Sequence, residues 1–241
     1  MSELVLPTGL QSLAGPLMQE TQETAARILR NFHDQLADTY GPQEWWPAQT
    51  PLEVIVGAYL TQNTSWKGVE RSIANLIAGG AMSLDGLRAV PEEELRMLIR
   101  PSGYMVRKAA GIKAFVAFLD REHGGSLSRL AAKPTIVVRR QLLALPGVGE
   151  ETADAILLYA LLHPVAVVDE YLRRIADRHG LAGRDRKYGE VQQLVDGAFA
   201  NDPPEFRLRL LNEFHALVVA VGKNHCAPQP RCQGCPLACF Q

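Results

Sequence analysis

The chain has 241 residues, 47% of them hydrophobic and 21% charged, with a formal net charge of −1; this suits one large or two small domains of an ordinary globular protein. The near-neutral balance excludes a surface that is basic all over, so a nucleic-acid footprint would have to be local, with Arg173, Arg174 and Arg178 and the group Arg184, Arg186 and Lys187 as candidates. No apolar run reaches ~18 residues and no basic segment followed by an apolar one opens the chain, so we expect no membrane partner, no signal peptide and a cytoplasmic protein, nucleoid-associated if bacterial.

The first helical periodicity runs over 20–40, with Ile28, Leu29, Phe32 and Leu36 on one face. Residues 51–60 predict a helix that is apolar on most faces and therefore buried. Further helices are predicted over 65–76, 91–99, 105–120, 135–145, 150–162, 171–179 and 206–222, the last ending at Gly222 as a C-cap. Residues 165–168 form the single short β-like run, either a strand or simply an extended segment. Gly79-Gly80, Gly124-Gly125 and 183–187 read as linkers. The fold class is therefore all-α.

Between two of these helices stands Pro146-Gly147-Val148-Gly149. Proline stops the first helix, and glycines let a phosphate approach the backbone with no Cβ in the way. The N–H groups opening the next helix then point outward, backed by the positive end of its dipole, which is a sequence-independent grip on a DNA phosphate. Glu150 and Glu151 occupy the first turn of that helix, where acids favour the dipole. Further on, Asp169 precedes the helix predicted at 171–179, a place where Asp also serves as an N-cap.

Two clusters remain. All three tryptophans, Trp45, Trp46 and Trp66, fall within 22 residues, and either a base pocket or core packing would gather them so. All four cysteines, Cys226, Cys232, Cys235 and Cys239, fall within the last 16 residues. A disulfide framework would spread them to staple distant segments; one short stretch reads as a metal site.

The string LPGVGEETA from Leu145, LTQNT from Leu60, GYMVRKA from Gly103, VVDEYLRRI from Val167 and the terminal cysteines together resemble the endonuclease III superfamily of helix-hairpin-helix DNA glycosylases, over roughly residues 43–241. The resemblance implies two helical domains flanking a DNA-binding cleft. One, over 43–164, is a helical barrel carrying the hairpin; the other combines 1–42 with 165–241 and carries an iron–sulfur loop. It implies double-stranded DNA with a damaged base as partner, and we expect a monomer.

Each motif acquires a role through that resemblance. Asp169 falls on the catalytic aspartate. Lesion-cutting members keep, at the position of Glu151, a lysine whose amine forms a Schiff base with the sugar. A carboxylate cannot form an imine, so the expected chemistry is hydrolysis without strand cleavage by an AP lyase step. Trp46 and Trp66, with Trp45 beside them, together with Glu151 are similar to the 3-methyladenine DNA glycosylase branch, whose aromatics stack on the flipped base. Indole faces attract a cationic alkylated purine, by ~0.5–2 kcal/mol each. Gln62 stands where relatives plug the gap left by the extruded base. The four cysteines match the family's [4Fe–4S] loop with shorter first and last gaps; zinc is the alternative for four sulfurs.

The expected activity is a monofunctional DNA glycosylase of base excision repair acting on alkylated purines such as 3-methyladenine. The alternatives are an endonuclease III-like glycosylase for oxidised or mismatched bases and a catalytically degenerate DNA-binding homologue.

Overall fold

The computed structural model describes residues 8–43 and 48–240, with side chains from residue 22. Among the described residues the regular structure is helical, with no strand. In chain order the helices are α1 (Thr8–Tyr40), α2 (Pro51–Leu60), α3 (Trp66–Ala78), α4 (Leu84–Ala89), α5 (Glu92–Leu98) and α6 (Met105–His123). There follow α7 (Leu127–Ala131), α8 (Thr135–Leu143), α9 (Glu150–Ala155), α10 (Glu170–Arg178), α11 (Tyr188–Ala198) and α12 (Pro204–Asn224). The chain divides into two compact units, Trp45–Val167, and Met1–Glu44 with Val168–Gln241.

In the unit Trp45–Val167, α2 is the central element. Thr50 caps it, its Oγ1 accepting from the Glu53 N–H at 3.2 Å, and Pro51 supplies the first helical residue. Leu52 and every residue from Val54 to Leu60 are buried, as the all-round apolar pattern requires. α2 packs on α3, on α6, on α9 and on the π-helical turn Ile156–Ala160 that continues α9. In the other unit α1 packs along α11 and α12, and α12 packs on α10, around Leu29, Phe32, Leu36, Phe199, Phe214 and Leu217.

The structure adds to or departs from the sequence expectation along the chain. α1 begins at Thr8, twelve residues earlier than its clear periodicity at 20. Helices α4 and α7 have six and five residues, too short to show a period; α11, with glycines at both ends, also went unpredicted. Residues 165–168 take the extended-segment alternative and not a strand: Ala166, Val167 and Val168 are buried, and the Val168 N–H donates to the Tyr188 hydroxyl at 3.1 Å. Gly222 does not cap α12, which continues to Asn224; a Cβ there would lie 2.3 Å from Tyr171 Cδ1, so this glycine serves the close approach of α10.

Candidate active site and DNA-facing hairpin

α8 ends at Leu143, and Gly147, at φ +79°, turns the chain in a conformation that L side chains avoid. Val148 is buried and anchors the turn, its N–H reaching Leu145 O at 3.3 Å. α9 then starts from Gly149 with no side-chain cap. A Cβ at Gly147 or Gly149 would meet nothing within 4 Å, so the mouth of this helix is open. The hairpin is braced from behind: Arg139 of α8 donates from Nε and Nη2 to the two carboxylate oxygens of Asp154 in α9, at 2.7 and 2.9 Å. Asp154 is wholly buried, and Arg139 also lies 3.7 Å from Glu150 Oε1. This brace was missed in the sequence, although an aspartate amid Ala153, Ala155 and Ile156 was a signal, since an acid on a buried face demands a cation. Glu151 is exposed in the first turn of α9.

Gln62 reaches this hairpin. Its Nε2 donates to Gly147 O at 2.8 Å and to Thr152 Oγ1 at 3.0 Å. The structure therefore brings together three sequence motifs: the turn after α2, the hairpin and the loop before α6. α6 itself contributes a residue the motifs did not single out, Lys108. It is buried, and its Nζ donates to Leu60 O at 2.8 Å and Ser102 O at 2.6 Å, tying the end of α2 to the turn that precedes Gly103-Tyr104. Burial pushes the Lys108 ammonium down to about 8. Asn63 and Tyr104, both non-glycine, hold positive φ of 50° and 46°, and Tyr104 is 63% exposed. Such backbone outliers need a surrounding structure that enforces them, and the Lys108 tether is part of it. Tyr59, Gln62, Asn63, Tyr104, Arg107, Lys108 and Gly147 enclose a cavity of about 170 Å³. Behind it, Gly111 lets α6 close on the hairpin: a Cβ there would lie 2.8 Å from the Tyr59 ring and 3.1 Å from Pro146 O.

Of the expected base pocket, Trp45 and Trp46 lie outside the described residues. Trp66 opens α3, 37% exposed, with its Nε1 donating to Glu70 Oε1 at 2.9 Å.

Asp169 belongs to the other unit. It is 6% exposed and caps α10, its Oδ1 accepting from the Leu172 N–H at 2.7 Å. Its Oδ2 is 3.7 Å from His215 Nε2 of α12. The cap consumes one oxygen and leaves the second for chemistry.

The cysteine loop follows α12. Cys226 is buried, Cys235 half-buried, and Cys232 and Cys239 exposed. Arg174 and Arg178, expected as part of a basic footprint, hold this loop instead. Arg174 Nε donates to Cys226 O at 2.7 Å; Arg178 donates to Ala227 O at 2.9 Å, to Pro228 O at 2.8 Å and to Cys226 Sγ at 3.1 Å. Arg184 and Arg186 pair with Glu170 and Glu190 at 2.7 and 2.8 Å. Burial pushes the Cys235 thiol up, and the nearby Cys232 and Cys226 sulfurs add to the shift. Among the described residues no three His, Cys, Asp or Glu side chains converge closely enough to hold a metal ion. The donor chemistry nevertheless fits a thiolate-ligated metal: four sulfurs on one anchored loop, with Cys232 and Cys226 near enough to Cys235 to act on its thiol.

Residues 56–200 match the HhH-GPD superfamily of base excision DNA repair proteins. A protein of Methanocaldococcus jannaschii named provisionally as a DNA repair glycosylase is 38% identical over 220 residues, 91% of this chain and 98% of that protein. The crystal structure of H. pylori 3-methyladenine DNA glycosylase bound to 1,N6-ethenoadenine superposes with a TM-score of 0.70 at 26% identity, covering 83% of this chain and 97% of that one. A structure of an endonuclease III trapped as a covalent intermediate with DNA gives a TM-score of 0.72 at 26% identity, covering 88% and 93%.

Proposed function

The chain belongs to the HhH-GPD superfamily of base excision DNA repair proteins, and on that premise we propose that it is a monofunctional glycosylase which removes alkylated purines from duplex DNA by hydrolysis. The observation that carries the reading is Glu151. It stands where the resemblance to endonuclease III puts an imine-forming lysine, and a carboxylate cannot take that role. On this reading the chain shares the fold of an endonuclease III captured as a covalent DNA intermediate but not the amine that such an intermediate requires.

Asp169 performs the hydrolytic role. Its Oδ2 orients and deprotonates water, and its charge stabilises the cationic sugar that develops as the base departs. Low exposure keeps that charge in a medium where it acts strongly. The open mouth of α9 and the Gly147–Gly149 backbone take a DNA phosphate. Glu150 and Glu151 do not oppose this, because the grip is made by backbone N–H groups while Arg139 draws Glu150 sideways. Gln62 plugs the vacated stack, leaving its hydrogen bonds to Gly147 and Thr152 as it enters.

Substrate choice rests on aromatic faces. Trp66, with Trp45 and Trp46, supplies electron-rich surface for a cationic base, which is already a good leaving group and needs no protonation. The likeness to a 3-methyladenine glycosylase supports this choice over an oxidised pyrimidine, which is neutral and gains little from such faces.

Cys226, Cys232, Cys235 and Cys239 would hold a [4Fe–4S] cluster, with zinc as the alternative. Either group would fix the terminal loop, and the glycosylase chemistry runs without it. Purified protein carrying the cluster would be yellow-brown; a colourless protein with one zinc per chain would assign the other metal. The lesion assignment is tested by incubating duplexes that carry 3-methyladenine, thymine glycol or a mismatched base and measuring released bases. Methylated purine should leave fastest; preferential release of thymine glycol would put the protein in a different branch.

A further inference from the structure

The buried face of α12 is made of apolar side chains, among them Leu211, Phe214, Leu217 and Val218, with one exception. His215 is buried on the same face. A buried imidazole costs stability unless polar groups meet it. His215 Nε2 stands 3.7 Å from Asp169 Oδ2, and the two side chains are each 9% exposed. Asp169 Oδ1 is already committed to the Leu172 N–H at 2.7 Å. The carboxylate is thus approached from two elements: α10 holds one oxygen, and α12 faces the other.

We propose that His215 is a positioning residue for Asp169, fixing the direction of Oδ2 through an Nε2–H donor; this rests on the hydrolytic role given to Asp169 above. A cap through Oδ1 leaves the carboxylate plane free to swing, because the terminal torsion of an aspartate is broad. Attack by water asks for more. The reacting groups must be held to within about 0.5 Å, and a misplacement of about 1 Å can cost ~10²-fold in rate. A donor on a rigid neighbouring helix removes the swing and offsets part of the cost of burying the charge. At 3.7 Å the contact is longer than a direct hydrogen bond, and catalytic contacts of this kind tighten in the substrate complex or close through one water. His215 touches neither sugar nor base and gives up no proton in this scheme.

The test is single-turnover excision by the full-length protein, on duplexes carrying methylated purines, uracil or thymine glycol, using whichever base is removed fastest. Duplex affinity and thermal midpoint are measured alongside. His215→Phe, which keeps bulk and removes the donor, should slow excision by about 10- to 100-fold while affinity stays within about twofold. His215→Gln, whose amide N–H can reach the same oxygen, should recover most of that loss. Should His215→Phe unfold, His215→Met fills the space with a flexible apolar chain and repeats the test. The double variant His215→Phe with Asp169→Asn should be no slower than Asp169→Asn alone, because one acts through the other. A normal rate in the apolar variants, no recovery by glutamine, or a second equal loss on top of Asp169→Asn would each overturn the positioning role while leaving Asp169 as the hydrolytic group. A normal rate for Asp169→Asn would overturn both.

Discussion

α9 starts from Gly149 with no side-chain cap and open space around its glycines, whereas α10 starts from Asp169, whose own carboxylate closes the first turn at 2.7 Å and is buried in the act. At the first entrance the open surface is backbone, with Arg139 and Asp154 bracing it from behind and Gln62 bonded to its Gly147 carbonyl. At the second the side chain is the surface, and a distant helix brings His215 up to it. An open entrance suits a partner that arrives anew with every substrate, such as a phosphate. A closed one suits a charge that must hold one place through every turnover.

The contrast can be broken at several points, and the largest effect lies at the brace. Arg139→Met leaves the fully buried Asp154 carboxylate without its bidentate partner, which should destabilise the fold by about 3–5 kcal/mol in urea titration. Near-native stability would mean that the hairpin does not depend on support from behind. Asp169→Asn comes next. Asparagine still caps α10, so stability should change little, while excision should fall by about 10²-fold or more with duplex binding kept. A normal rate would reduce the second entrance to a helix cap.

Gly147→Val addresses the open entrance alone. At φ +79° a β-branched residue is strained by about 1–3 kcal/mol, and its bulk meets the incoming phosphate. Binding should weaken by roughly tenfold, and equally for damaged and undamaged duplexes, since a phosphate contact carries no sequence information. Loss confined to damaged DNA would sever the hairpin from phosphate binding.

The smallest effect is the pH response of Lys108. Burial holds its ammonium at about 8 against 10.5 for a free lysine. Between those values the unfolded chain binds more proton than the folded one, so the fold gains stability as pH rises through the window. Lys108→Met should abolish that gain while wild type retains it, as urea midpoints at pH 8 and 10 would show. Identical slopes would mean that the ammonium is as well solvated as in the open chain.

The two entrances also differ in how far the sequence announces them. Pro146-Gly147-Val148-Gly149 works through local backbone rules, so the string itself displays the turn, and the helical periods on either side place it. The helix after Asp169 was legible in the same way. What sets the Asp169 carboxylate was not, because His215 reaches it only through the packing of α12 on α10. Lys108 was hidden likewise: its partners are two main-chain carbonyls, and carbonyls leave no trace in a sequence. Arg174 and Arg178 show the converse, arginines that look like a DNA footprint and are instead used to hold carbonyls of the cysteine loop.

Glu151 is the point on which the proposed hydrolysis turns, and one measurement addresses it directly. The protein is incubated with a duplex carrying one methylated purine, half of the reaction receives borohydride, and the strands are resolved with and without alkali. If Asp169 activates water, the base is released, the strand stays whole until alkali is added, and borohydride traps no protein on DNA. A trapped adduct, or a strand broken without alkali, would show an amine attacking the sugar and would contradict hydrolysis.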